Sequence, residues 1–270
     1  MHRFVRILLL LILPIVLAGC HRLKSAPMFI GITGPAKLRV GIATDTPPLA
    51  YKQDNTITGL ETKFAAGLAR FTQKPLELIE LPRQELAPAL LKGKIDIIMA
   101  GLSAADAQEQ KLAAIMPYFV SGQVALVHLD DYKQLGNDAD NLKAPEVRLG
   151  VVAATPGEVF VKGLKSKGKI TRFVSAPEGV QALIEDTIDV FVYDLPANFY
   201  YAALYVDQGL TPGTTPMTRD PLVWAVLPGN RTMLKAANDY LAAIQQSGEL
   251  QALIERAIPF YQNTAYSPEK

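Results

Sequence analysis

From Leu38 onwards, the apolar and polar positions of the chain predict the order strand, helix, strand, helix, strand. LRVGIAT has the alternating, β-branched pattern of a strand, and GLETKFAAGLARF places Leu60, Phe64 and Leu68 on one helical face. PLELIEL predicts a short strand, RQELAPALLKG a helix that ends at Gly93, and KIDIIMA a strand buried on both faces of a parallel sheet. This alternation indicates an α/β architecture.

The same scheme occurs twice. LRVGIATDTP at 38–47 aligns without a gap with VRLGVVAATP at 147–156, and LLKGKIDIIMAG at 90–101 aligns with LIEDTIDVFVYD at 183–194. Parallel strands of similar composition can look alike by chance, but here the helix end, the strand and its exit recur in the same order. We therefore predict two similar α/β lobes.

Two extended apolar stretches, FVSGQVALVH at 119–128 and TRDPLVWAVLP at 218–228, predict crossover strands between the lobes. The first lobe is then expected at 38–123 plus 219–262 and the second at 124–218, with a short tail at 263–270. Before that tail, MLKAANDYLAAIQQSGELQALIERAIPFY predicts two amphipathic helices, broken at Ser247-Gly248, that return to the first lobe.

Polar or small residues follow the central strand of each predicted lobe. Ligands of open α/β sheets bind outside the carboxyl ends of the strands. Those ends are Thr46 and Gly101 in the first lobe, and Thr155 and Asp194 in the second. If the lobes face each other, all four positions border one cleft.

Composition narrows the class of protein. Hydrophobic residues make up 49% of the 270 residues, and 27 Lys and Arg stand against 26 Asp and Glu. This balance is that of a globular protein rather than a disordered chain. The sequence shows no basic block interleaved with aromatic residues, which argues against a nucleic-acid partner.

The first twenty residues have the layout of a secretory signal: a basic start, an apolar run interrupted by proline, and a small-residue end. Leu17-Ala18-Gly19-Cys20 resembles the lipobox of bacterial lipoproteins. The resemblance implies a signal peptide at 1–19, a lipidated Cys20 and a tether over 20–37. The protein would then be exported and held at the periplasmic side of a bacterial membrane by its lipid alone. An uncleaved signal anchor with a chance cysteine is the alternative.

Loss of the signal removes Arg3 and Arg6, so Lys and Arg fall from 27 to 25 against 26 acids. A nearly neutral body predicts neither a polyanion nor an acidic membrane surface as its partner. Cys20 is the only cysteine, and after cleavage the histidines are His21 and His128. We therefore expect no metal site, no cofactor and, in the absence of a nucleophile or metalloprotease motif, no enzymatic activity.

Taken in order, LRVGIATDTPPLAY, LLKGKIDIIMAGLS, GVVAATPGE, DVFVYDLPANFYY and WAVLPGN resemble the polar-amino-acid type of bacterial extracellular solute-binding proteins, family 3. The resemblance implies the type II periplasmic-binding fold, with two α/β lobes joined by two crossover strands. It also implies a monomeric, hinged receptor. Such a receptor closes on a small polar ligand and passes it to the membrane permease of an ABC-type transporter.

The family's site can be carried over residue by residue. Ser103 matches the Ser/Thr after the third strand, Thr155 the donor at the second-lobe helix start, and Asp194 the acid that binds the ligand ammonium. However, Ala105 replaces a threonine, and Gln108 stands where members hold the arginine that clamps the ligand carboxylate. Ser103 and Thr155 could also be plain helix caps.

Two further departures bear on the ligand. Arg83 occupies the position of an aromatic cleft wall, and Lys63 replaces an aspartate. A neutral glutamine cannot reproduce a bidentate arginine–carboxylate pair. Either the ligand is an amine without a free carboxylate, or Arg83 replaces the clamp. Tyr51 and Tyr118 are each either cleft walls or packed aromatics, and the pair Tyr200-Tyr201 is expected to pack in the core.

Two alternative functions use the same fold. YKQDNTITGLETKFAAGLA resembles the non-catalytic N-terminal domain of membrane-bound lytic transglycosylases of the F type. Those proteins carry a further cleaving domain, for which 270 residues leave no room, so this resemblance implies a sensor or cell-wall-associated regulator. A dehydratase is the third possibility, and it would need an acid/base pair in the cleft.

Overall fold

The computed structural model describes residues 36–263. The predicted signal peptide, Cys20, nearly all of the tether and residues 264–270 of the tail lie outside this range. The strands within it are β1 (Leu38–Ile42), β2 (Asp45–Thr46), β3 (Ala50–Gln53), β4 (Thr56–Thr58), β5 (Leu76–Glu80), β6 (Ile97–Ser103), β7 (Ala113–Ala114), β8 (Phe119–Ser121), β9 (Gln123–His128), β10 (Leu149–Val152), β11 (Ile170–Phe173), β12 (Val190–Asp194), β13 (Leu210–Pro212) and β14 (Asp220–Val226).

The α-helices of the same range are α1 (Leu60–Phe71), α2 (Arg83–Leu91), α3 (Ala104–Glu109), α4 (Tyr132–Leu135), α5 (Pro156–Leu164), α6 (Ala176–Ile184), α7 (Leu195–Leu204), α8 (Arg231–Gln246) and α9 (Glu249–Ala257). Short 3-10 helices cover Leu129–Asp131, Asn141–Lys143, Val206–Gln208 and Tyr261–Asn263. No helix of residues 36–263 has both the length and the apolar character needed to cross a membrane.

Two sheets of matching topology form the two lobes. The first has the order β5-β1-β6-β14-β7, with β8 also paired to β14. The second has the order β11-β10-β12-β9-β13. In each, the first three strands are parallel and the fourth is antiparallel. The predicted pair of similar α/β lobes is confirmed, and a small sheet β2-β3-β4 is added to the first.

The duplication extends to single side chains. Arg39, on β1, donates from Nη2 to Asp96 Oδ1 at 2.6 Å and from Nη1 to the Gly93 carbonyl at 2.6 Å. At the matching place on the second lobe, Arg148 donates from Nη2 to Asp189 Oδ1 and from Nη1 to the Asp186 carbonyl. Each carboxylate also accepts the backbone N–H of its arginine. The pair fixes the turn before β6 to β1 in the first lobe, and the turn before β12 to the start of β10 in the second.

Helices α8 and α9 close the first lobe, as the tail pattern predicts. Their apolar faces join the core that surrounds Phe64 of α1 and Trp224 of β14, both 0% exposed. The rings of Phe64 and Trp224 lie 5.3 Å apart between centroids, and the Trp224 ring stacks on Tyr240 of α8 at 6.0 Å. A second cluster, between the other face of this sheet and α2, completes the lobe.

The lobes are joined where two chain segments run side by side. The first crossover divides at Gly122: β8 belongs to the first sheet and β9 to the second. The second connection returns between β13 and β14. A Cβ at position 122 would lie 2.2 Å from the Thr218 carbonyl oxygen, so only glycine permits the close approach of the two connections. The first is the crossover predicted at 119–128; the second, at 213–219, lies mostly before the stretch predicted at 218–228, most of which is β14 of the first sheet.

The repeated arginine–aspartate pairs give a matched test of the duplication. We expect Asp96→Asn and Asp189→Asn each to lower the free energy of unfolding by about 1 kcal/mol, because a charge-assisted hydrogen-bond set at a partly exposed site is weakened. Urea denaturation measures the change, with the exposed Asp130→Asn as control. Effects that differ severalfold between the two sites would contradict an equivalent role.

Candidate functional site

The four predicted strand-end residues lie at the carboxyl edges of the two sheets. Thr46 ends β2, just after β1, and Gly101 lies near the end of β6. In the second lobe, Thr155 is the N-cap of α5 and Asp194 ends β12. All four are partly exposed. This is the edge at which α/β proteins bind ligands.

A buried carboxylate holds the first-lobe edge in place through hydrogen bonds. Glu61, 0% exposed in the first turn of α1, accepts hydrogen bonds from Gly101 N at 2.8 Å and the Tyr118 hydroxyl at 2.5 Å. Its other oxygen accepts from Trp224 Nε1 at 3.0 Å. Burial raises the pKa of Glu61 to about 7, although the three hydrogen bonds and the charge of Arg83 oppose the rise. Tyr118 is therefore a packed aromatic and not a cleft wall.

Arg83 is already paired. It begins α2 and donates from Nη2 to Asp45 Oδ1 at 2.8 Å and from Nη1 to the Ala100 carbonyl at 2.9 Å. Thr46 Oγ1 lies 3.5 Å from Nη2. Burial lowers the pKa of Arg83, but the hydrogen bond and charge of Asp45, together with the interactions with Tyr193 and Asp194, outweigh it, so the net shift is upward. Asp45 thus compensates much of the charge of the predicted clamp.

Arg83 also borders a cavity of about 370 Å³ at the carboxyl ends of β1 and β5. The cavity is lined by residues 43–45 and 80–83, and its carboxylates are Asp45 and Glu80. Glu80 is held by Lys52 at 2.8 Å and by the Thr44 hydroxyl at 2.7 Å. The cavity is a polar extension of the first-lobe edge, with each of its charges partnered.

The two predicted hydroxyl donors act as helix caps. Ser103 Oγ accepts the Asp106 N–H at 3.0 Å at the start of α3. Thr155 Oγ1 donates to the Val152 carbonyl at 2.7 Å and accepts the Glu158 N–H at 3.4 Å. Capping and ligand contact use the same helix end, so the caps fix both hydroxyls at the edge. Gln108 is exposed on α3.

Asp194 lies at the start of α7 without capping it. Its Oδ1 accepts a hydrogen bond from Gln123 Nε2 at 2.5 Å. Burial raises the pKa of Asp194; the Gln123 hydrogen bond opposes this, the charges of Asp220 and Asp106 add to it, and Arg83 opposes it. The negative charges of Asp220 and Asp106 therefore disfavour the ionised form of Asp194, and a bound cation would favour it.

Tyr51 faces an aromatic residue of the other lobe. The ring of Tyr51, on β3, and the ring of Tyr200, on α7, lie 5.7 Å apart between centroids. Tyr201 is 6% exposed and belongs to the second-lobe core, as predicted. Tyr200 is partly buried and packs against the same core, as predicted, but it also contacts Tyr51, because neighbouring residues on a helix point about 100° apart.

Sequence reasoning also missed Asp45, Glu61 and Gln123. Glu61 carried a usable signal: an acid on the apolar face of an amphipathic helix, between Leu60 and Phe64, is either buried with partners or misplaced. Asp45 and Gln123 lie beside ordinary loop and strand patterns and carry no comparable signal.

The fold and this edge-to-edge arrangement define a two-lobed binding protein of the type II periplasmic-binding class. The chain belongs to the bacterial extracellular solute-binding proteins, family 3, whose family model matches residues 38–259. It is similar to the L-cystine-binding protein TcyJ of Escherichia coli (strain K12), with 27% identity over 220 residues, 81% of each chain.

Solved structures agree with this assignment. An ancestral cationic amino acid solute-binding protein superposes with a TM-score of 0.75 at 28% identity, covering 82% of this chain and 95% of that one. A putative binding component of an ABC transporter from Wolinella succinogenes, complexed with lysine, has a TM-score of 0.74 at 27% identity with the same coverage. The family and the type II fold are thereby confirmed.

Glu61 predicts a pH dependence of stability. Its pKa in the folded protein, about 7, exceeds its ordinary value of 4.5, so the folded state holds the proton more tightly. The resulting stabilisation is present below pH 4.5 and is lost as pH rises through 7, by up to about 3 kcal/mol. Urea denaturation from pH 4 to 8 measures it. Glu61→Gln, which cannot titrate, is expected to lack this loss, and an equal slope in both proteins would contradict the assignment.

Proposed function

We propose that this protein is a lipid-anchored receptor that binds a small, amine-bearing ligand between its lobes and delivers it to an ABC-type permease. The observation that carries the proposal is Asp194. It is a carboxylate at the strand-end edge of the second lobe, with its pKa raised by burial and by neighbouring carboxylates. An ammonium group seated there would gain a charge-assisted hydrogen bond and relieve the repulsion.

The charge balance of the site supports a cationic ligand. Arg83 is neutralised by Asp45, and Gln108 is neutral, so neither offers the free cation that a ligand carboxylate needs. The charges of Asp220 and Asp106, both of the first lobe, raise the pKa of Asp194, and the charge of Arg83 opposes them. The relative complexed with lysine and the relative described as a cationic amino acid binder are consistent with this sign.

Closure about the two crossovers would bury the ligand. A ligand favours the closed arrangement only if it contacts both lobes, so the proposed site uses Asp194 and Thr155 on one side and Ser103, Arg83 and Tyr51 on the other. Tyr51 and Tyr200 would form an aromatic wall at its mouth. Export and anchoring through Cys20 are parts of the proposal that rest on the N-terminal sequence pattern.

We propose binding without catalysis. The hydrogen-bond partner of Asp194 is the amide of Gln123, not a second carboxyl group or a histidine. The other carboxyl group with a raised pKa, Glu61, is fully buried and uses both oxygens to hold protein donors. An acid/base pair for a dehydratase reaction would require groups that can reach a common substrate.

Removal of the Asp194 charge tests the proposal. We expect Asp194→Asn to weaken binding of cadaverine at least about 30-fold, because the charge partner of the ammonium is lost. Isothermal titration calorimetry of the folded body measures the affinity. Asp207→Asn, an exposed position on the same lobe, is the control. Equal affinity in the Asp194 variant and the wild type would remove this residue from the site.

Gln108 allows a separate test of the ligand class. Cadaverine is lysine without its carboxylate, so the ratio of the two affinities reports what the carboxylate contributes. We expect the wild type to prefer lysine by no more than about threefold, and Gln108→Arg to raise that preference to about tenfold or more by supplying a bidentate partner. A strong lysine preference in the wild type would mean that another cation already serves as the clamp.

A further inference from the structure

Gln123 joins the hinge to the second-lobe acid. It is the first residue of β9, immediately after Gly122, and is 1% exposed. In the antiparallel ladder between β9 and β12, Gln123 is the direct partner of Asp194. Side chains of directly opposed residues lie on the same face of a sheet, so the register alone brings amide and carboxylate together.

Gln123 contacts Asp194 through its side chain and the second crossover segment through its backbone. Its side-chain Nε2 donates to Asp194 Oδ1 at 2.5 Å. Its backbone is held by the second crossover segment: the N–H donates to Thr218 Oγ1 at 2.9 Å, and the carbonyl accepts the Met217 N–H at 2.8 Å. Gln123 thus belongs to the first crossover and contacts both the second connection and the carboxylate proposed to bind the ligand.

The orientation of the Gln123 amide is determined by its surroundings. With the ends exchanged, Oε1 would face a carboxylate oxygen at hydrogen-bond distance, which is repulsive. In the observed orientation, Oε1 is buried and has no hydrogen-bond partner within the described residues. It points to the start of α5, where a Cβ on Gly157 would lie only 2.8 Å from it. The protein tolerates an unpaired buried oxygen, and what it gains is the donor aimed at Asp194.

We propose that Gln123 is a positioning residue of the ligand site: its amide orients the Asp194 carboxylate and holds it in the ionised form that an ammonium ligand requires. This inference rests on the proposed function, since it assigns Gln123 a role in that same site. It also makes β9 a direct support of the site, so that movement at the two crossovers and the geometry of Asp194 are coupled.

Charged side chains of three elements act on Asp194. Asp220, on β14, and Asp106, on α3, raise its pKa, while Arg83, on α2, lowers it. Burial raises the pKa further, and the Gln123 hydrogen bond lowers it. Removing the amide donor takes away an opposing contribution, so the pKa of Asp194 must rise further.

The test replaces Gln123 by a side chain of equal length without a donor. In Gln123→Met we expect the Asp194 Cγ resonance, assigned with Asp194→Asn, to titrate at higher pH than in the wild type. Cadaverine affinity should fall about tenfold, and the loss should become smaller as pH rises and the carboxylate is ionised in both proteins. Asn198→Ala is the matched control, because Asn198 is a buried amide of the same lobe that donates only to backbone carbonyls.

The outcomes separate the two proposals. An unshifted Asp194 titration in a folded Gln123→Met protein, or an affinity loss that is the same at every pH, would overturn the positioning role. Absence of amine binding in the wild type with a shifted Asp194 titration would overturn the ligand proposal and leave the role of Gln123 intact. If Gln123→Met does not fold, the wild type still decides: its Gln123 side-chain NH₂ resonances must move with the Asp194 titration, and fixed resonances would refute the contact.

Discussion

One buried carboxylate holds the first lobe in the shape that the site requires. Glu61 has no exposed surface, and burying a carboxylate is costly unless its oxygens are hydrogen-bonded. Donors from three separate parts of the chain satisfy it: Gly101 of β6, Tyr118 before β8 and Trp224 of β14. A helix start, a strand end and the returning strand are thus fixed to one another by a single group. Because Gly101 is also a strand-end residue of the cleft, the same interaction sets the position of the candidate site.

The two lobes share a frame and differ in their edges. The arginine–aspartate pairs Arg39–Asp96 and Arg148–Asp189 repeat atom for atom, as expected of two copies of one supersecondary unit. At the carboxyl ends the equivalence stops. The first lobe presents Arg83 paired with Asp45, and the second presents Asp194, on which Asp220, Asp106 and Arg83 of the first lobe all act. The proposed preference for a positively charged ligand rests on this difference between the two edges.

The sequence pattern was sufficient for the frame because strand and helix periodicity is local. The strands at 38–42, 97–103 and 149–152 and the two closing helices follow from residues within a few positions of each other, and the duplication follows from comparing such local patterns. The contacts of the site were not accessible in this way. Tyr200 and Tyr201 are chemically identical neighbours, and only the packing of α7 decides which one faces Tyr51. Likewise, nothing near Arg83 in the sequence marks Asp45 as its partner, since the two residues are 38 positions apart.

The hinge and the site are not separate parts of this fold. Gly122 permits the two connections to touch, and the next residue, Gln123, bonds to Thr218 of the second connection through its backbone and to Asp194 through its side chain. A rotation of one lobe against the other acts at these positions, because the chain crosses between the sheets there and at residues 213–219. A change in the crossover therefore reaches the acid through one amide hydrogen bond. In the other direction, a ligand that fixes the acid restrains the crossover by the same bonds, as the reciprocity of coupled equilibria requires.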